Sequence, residues 1–157
     1  MESSSGTTLD ALADALAGDL ERIVGLYRSL SPAGGLSMTA VATLGAVERF
    51  GPQRLTLLAA REGVTQPAMT QLISRLEEAG LVRREPSLED GRVVLVAITD
   101  DGRATLARRR AVRKERLASI IAQLSPEHRA ALAIALPALD ALASVPRDDD
   151  PIRATTR

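Results

Sequence analysis

The sequence predicts a mainly helical protein with one small β-hairpin, built as a winged helix-turn-helix with an extra apolar helix at each end. Three observations carry this. The run at 65–80 reads as a helix with one apolar and one small, polar face. A short helix and a tight Gly-containing turn stand before it, and two strand-like segments around a polar tip follow it. The flanking helices at 1–36 and 100–145 are not needed by the unit at 37–99, yet both carry apolar stripes that require partners.

In chain order, residues 9–30 are the first predicted helix. Leu9, Leu12, Leu16, Ile23, Leu26 and Leu30 fit a heptad seam interrupted by Asp19. SPAGG at 31–35 is a turn. Ser37 has the side chain of an N-cap, with Leu36 and Val41 placed as a hydrophobic staple, and Val41, Leu44 and Val47 carry the second helix to the Gly51-Pro52 stop.

RLTLLAAREGV at 54–64 is a short helix with Leu55, Leu58 and Ala59 inward, ended by Gly63. In the helix that follows, Thr65 is the N-cap candidate. Pro67 sits in the first turn, where a missing N–H costs nothing, and Gly80 follows as the C′ residue. On a 3.6-residue wheel Met69, Leu72, Ile73 and Leu76 share one side, while Pro67, Gln71 and Ser74 point the other way, flanked by Thr70 and Arg75. A face this small and polar can approach a groove of double-stranded DNA closely and exchange hydrogen bonds with it. Any solvated helix also carries outward polar residues, and Arg75 can instead pair with the neighbouring Glu78.

LVRRE at 81–85 and VVLVAI at 93–98 are strand-like, and PSLEDGR between them is a turn-forming tip. This hairpin is the wing. Arg92 at a Gly-flexed tip suits a minor groove, and Asp90 can hold its guanidinium or cap the turn. Arg83 and Arg84 alternate along a strand, so at most one faces DNA.

Thr99 then caps a long helix to about Gln123, with Asp100 and Asp101 complementing its dipole. Its basic run at 108–116 is either a phosphate-facing surface or simply a solvated face. Ser125-Pro126-Glu127 starts a last helix with Leu132, Leu136, Leu139 and Leu142 apolar, where Pro137 is expected to produce a kink. Residues 146–157 read as a disordered tail.

Composition narrows the function. With no Cys and the single His128, neither a Cys-based nor a His-rich metal site is available. No cofactor is expected. The absence of a Gly-rich phosphate loop or a nucleophile constellation argues against catalysis, and the pairs Glu77-Glu78 and Asp100-Asp101 have helix-position explanations. No membrane span or signal peptide is apparent, so a soluble cytoplasmic protein is expected. The formal net charge is zero, which is unusual for a nucleic-acid binder, but its distribution is uneven: residues 100–116 hold seven bases against three acids. Binding would rest on placed arginines and on the helix N-terminus at Thr65, Gln66 and Pro67 aimed at phosphates, with modest affinity that falls steeply with salt.

From about Leu36 to Leu106 the chain resembles the MarR family of bacterial transcription regulators. The specific pieces are LEEAGLV at the exit of the recognition helix, the Asp90-x-Arg92 wing tip, and Ile98-Thr-x-x-Gly102 at the start of the next helix. Gln53-Arg54 departs from the pattern, which often has a capping Ser or Thr there. The resemblance implies a homodimer, in which N- and C-terminal helices of two subunits pack together and hold two winged helices over a pseudo-palindromic operator; the chain is expected to be a dimeric transcription regulator acting as a repressor. It also implies a small, often aromatic or phenolic, anionic effector in the crevice between dimer helices and winged helix. Tyr27 and Phe50, the only aromatic residues, can line such a crevice or belong to the core. Two other readings stay open: a winged-helix protein-interaction module of the antirepressor kind, and a ligand-binding dimer without DNA contact.

Overall fold

The computed structural model describes residues 3–31, 35–87 and 91–145. The order is α1 (Ser3–Ser29), α2 (Met38–Phe50), β1 (Gln53–Arg54), α3 (Leu55–Arg61), α4 (Gln66–Glu78), β2 (Val82–Pro86), β3 (Val94–Ile98), α5 (Asp100–Ile121) and α6 (Pro126–Ser144). The strands form an antiparallel sheet in the order β1-β3-β2. The expected tail at 146–157 and most of the turn at 31–35 lie outside the described residues. No helix among the described residues is long and apolar enough to cross a membrane.

The caps form as their side chains dictate. Ser37 accepts from the Ala40 N–H at 3.1 Å, Thr99 from Gly102 at 3.1 Å and Ser125 from His128 at 3.3 Å. α4 ends in a left-handed glycine: Gly80 has φ 73°, and the Leu81 N–H returns to the Leu76 carbonyl at 2.9 Å.

One core joins α2, α3, α4, the sheet and the start of α5. Leu44, Leu58, Met69 and Ile73 are fully enclosed, together with Val47, Leu76, Val82, Val96, Ile98 and Leu106. Each such side chain contributes about 1.5–3 kcal/mol through burial. Leu36 and Val41, the expected staple, lie against this cluster. Thr43 sits in the same core with its hydroxyl unpaired. Thr43→Val keeps the branched shape and removes the unsatisfied oxygen, so a chemical denaturation midpoint should report a gain of about 1 kcal/mol.

Three expectations are corrected here. α1 begins at Ser3 and not at residue 9; the polar run SSSGTT belongs to the helix although it has no apolar period to mark it in the sequence. Gln53 and Arg54 do not open α3. They form β1, opposite Val96 and Leu95 of β3, and α3 starts from Arg54 with no side-chain cap. The basic run of α5 is only in part a solvated face: Arg108 and Lys114 are exposed and in no ion pair among the described residues, while three of its arginines are engaged by other parts of the chain. Arg110 pairs with Glu48 of α2 at 2.6 Å, Arg113 lies 4.2 Å from the Tyr27 ring centre, and Arg116 donates to the Leu30 and Ser31 carbonyls at 3.2 and 3.0 Å. These arginines fasten the end of α1, and the flank of α2, to α5.

The apolar stripes of the terminal helices stay uncovered in a single chain. Leu9, Leu12, Ile23 and Leu26 are exposed on α1, as are Leu132, Leu136, Leu139 and Leu142 on α6. α6 continues through Pro137 to Ser144.

Candidate nucleic-acid interface

α4 presents its apolar face to the core and its polar face outward, because its hydrophobic residues recur at helical spacing. Met69, Ile73 and Leu76 are buried and Leu72 packs beside them, while Gln66, Pro67, Thr70, Gln71 and Arg75 are exposed. Thr65, also exposed, accepts from the Ala68 N–H at 3.4 Å. The Thr70 hydroxyl donates to the Gln66 carbonyl at 2.9 Å, which leaves its methyl group and remaining lone pair for a partner. Arg75 is in no ion pair among the described residues, so the alternative pairing with Glu78 does not form.

Ser74 is placed differently from its wheel position. It is half-buried on the flank of α4 toward β2, where its Oγ accepts from Arg84 Nη2 at 3.2 Å. Arg84 also pairs with Glu77, whose other carboxylate oxygen accepts the Arg84 main-chain N–H at 3.2 Å. Arg83 is engaged within the wing, with Glu85 at 2.8 Å and the Ile98 carbonyl at 3.3 Å. Sequence reasoning missed the Glu77 link. Its only local signal is a Glu near the end of the helix and an Arg early in the next strand.

The hairpin closes through the Ser87 N–H and the Val93 carbonyl at 2.8 Å. Arg92 is exposed beside Gly91 at the tip. Asp90 lies outside the described residues. The base of the wing is held by Thr99, whose hydroxyl donates to the Gly80 carbonyl at 2.6 Å and whose N–H donates to Leu81 at 3.1 Å.

The two rings are not core. Phe50 is 44% exposed, with the guanidinium carbons of Arg61 and Arg49 at 4.2 and 5.3 Å from its centre. Tyr27 is half-buried on Arg113. The rings therefore have separate arginine partners. Beside the Phe50 cluster, burial pushes the Glu62 carboxyl above its ordinary value, and Arg61 works against that shift. Among the described residues no group of acids with His128 is placed to hold a metal.

Comparison with known proteins agrees with this geometry. Residues 36–94 match the model of the MarR family. The chain is 34% identical over 118 residues to an HTH-type transcriptional regulator of Mycobacterium tuberculosis, covering 73% of this chain and 82% of the relative. It is similar in structure to a putative transcriptional regulator of Pseudomonas aeruginosa, with 28% identity, a TM-score of 0.77, and 90% and 99% of the two chains covered. A further crystal structure from Mycobacterium tuberculosis matches with 28% identity and a TM-score of 0.72, over 89% and 97% of the chains.

Proposed function

Because the chain belongs to the MarR family of transcriptional regulators, DNA-binding proteins and not enzymes, we propose that it is a cytoplasmic repressor that binds a pseudo-palindromic operator as a homodimer. α4 enters the major groove and the wing reaches the adjacent minor groove through Arg92. The observation that carries this reading is the outer face of α4: Gln66, Pro67, Thr70 and Gln71 are exposed, uncharged and small enough for close approach. Thr65 and the α4 N-terminus supply phosphate contacts, and Arg75 supplies a charge at the far edge. Dimerisation is supported by the exposed leucines of α1 and α6. A dimer sets two recognition helices roughly 34–36 Å apart, one turn of duplex.

The test is selection of bound duplexes from a randomised pool at about 0.1 M salt, where nonspecific contacts are already weakened. Wild type is expected to enrich an inverted repeat. Gln71→Ala and Arg92→Ala should each weaken binding to it by about 1–3 kcal/mol. A folded dimer that enriches nothing sinks the DNA reading in favour of a protein-interaction module or a ligand-binding dimer.

An anionic aromatic effector is supported by arginine-faced rings at Tyr27 and Phe50. Such a ligand must bind free and operator-bound protein with different affinities, because coupling between sites is reciprocal. Calorimetry giving one affinity for both states would remove that ligand as an inducer.

A further inference from the structure

We propose that Glu77 is a positioning residue that sets the wing at a fixed angle to the recognition helix, so that contacts in two grooves are made as one geometric unit. The inference rests on the DNA-binding reading above. A single carboxylate receives both the main-chain N–H and the guanidinium of Arg84, and the same guanidinium donates to Ser74, one helical turn before Glu77. Helix and strand are thus pinned at two successive turns of α4. β2 is an outer strand, with β3 on one side only. The Arg84 amide is satisfied by α4 where an outer strand would ordinarily leave it to water.

Energetics and geometry separate here. The side chains of Arg84 and Glu77 are 33% and 36% exposed, so the pair adds little to global stability. Its effect is on angle. The base of the wing is held by Thr99 at Gly80 and Leu81, and β3 is held by β1 at Val96 and Leu95. The Glu77 link fixes the other strand, β2, at the same level, and without it the hairpin beyond Arg84 is left to swing. The tip lies about 10 Å beyond Arg84 at ~3.3 Å per residue, so a swing of about 10° would move it by nearly 2 Å. That is enough to lose a hydrogen bond. Arg83 cannot substitute, since its partners Glu85 and Ile98 belong to the wing itself.

The experiment is a double-mutant cycle on the selected operator: wild type, Glu77→Ala, Arg92→Ala and the double variant, with amide exchange across 82–98 followed in the free proteins. Arg92→Ala is expected to cost about tenfold in affinity in the wild-type background and less than about threefold when Glu77 is absent. Exchange in the wing should quicken in Glu77→Ala while the melting temperature moves little. Arg84→Met, which keeps the apolar stem and removes the fork, should abolish the coupling in the same way. Glu77→Gln, which retains an acceptor for the Arg84 amide, should preserve part of it. An equal cost of Arg92→Ala in both backgrounds, including no cost in either, overturns the positioning role and leaves the DNA reading standing. Failure of wild type to select any duplex overturns the DNA reading and this inference with it.

Discussion

Gly102→Ala is expected to destabilise the protein by about 2 kcal/mol, although alanine is the better helix former. Gly102 is buried in the first turn of α5, and a methyl group there would press into the Leu81 carbonyl oxygen and stand 2.7 Å from Ile98 Cγ1. The propensity gain of about 0.8–1 kcal/mol is outweighed by an overpacking cost of typically 1–3 kcal/mol. The cost falls toward the upper end because the obstacle is main chain. That carbonyl also accepts from Thr99, so moving it strains the joint among α4, the wing and α5. Gly45→Ala provides the opposite sign. Gly45 is interior to α2 with nothing within 4 Å of the new carbon, and a gain of about 0.5–1 kcal/mol is expected. Urea denaturation of the two variants beside wild type checks both; a Gly102→Ala protein as stable as Gly45→Ala would refute the packing argument.

The second large effect concerns assembly. Leu12 and Leu136 are each 62% exposed in the single chain. If they faced only water, Leu12→Glu and Leu136→Glu would change stability by no more than about 0.5 kcal/mol. In the proposed dimer each places an unpaired carboxylate in an apolar seam, twice by symmetry, at a cost of several kcal/mol. The dimer dissociation constant should then rise about a hundredfold or more. Light scattering at micromolar concentration should give a dimer mass for wild type and a monomer mass for the variants. A wild-type monomer, or variants that remain dimeric, would exclude these faces as the interface. Operator affinity should fall with the mass, because a half-site contacts one winged helix at a time.

What was legible in the sequence was local. The caps at Ser37, Thr65, Thr99 and Ser125 depend on a side chain reaching two or three residues along, and the burial of Met69, Ile73 and Leu76 follows from helical spacing. Most of the proposed interface on α4 is exposed for the same reason. What escaped depends on distant partners. β1 is two residues long and is defined only by Val96 and Leu95, more than 40 positions away. The arginines of α5 look alike in sequence, but Arg110 is engaged by α2 and Arg113 and Arg116 by the end of α1, which no periodicity encodes. Ser74 points outward on a helical wheel, yet the wing folds back beside it and engages its hydroxyl. Phe50 and Tyr27 lie outside the core, stacked on by Arg61 and Arg113, partners that no local pattern encodes.

The stacking of Tyr27 on Arg113 gives the chain a native optical probe. With one tyrosine and no tryptophan, all intrinsic ultraviolet fluorescence beyond the faint signal of Phe50 originates at the place where the first helix meets the fifth. Any event that loosens that joint changes the emission of a single ring, so association of subunits, arrival of an anion or engagement of DNA can be followed there without a label.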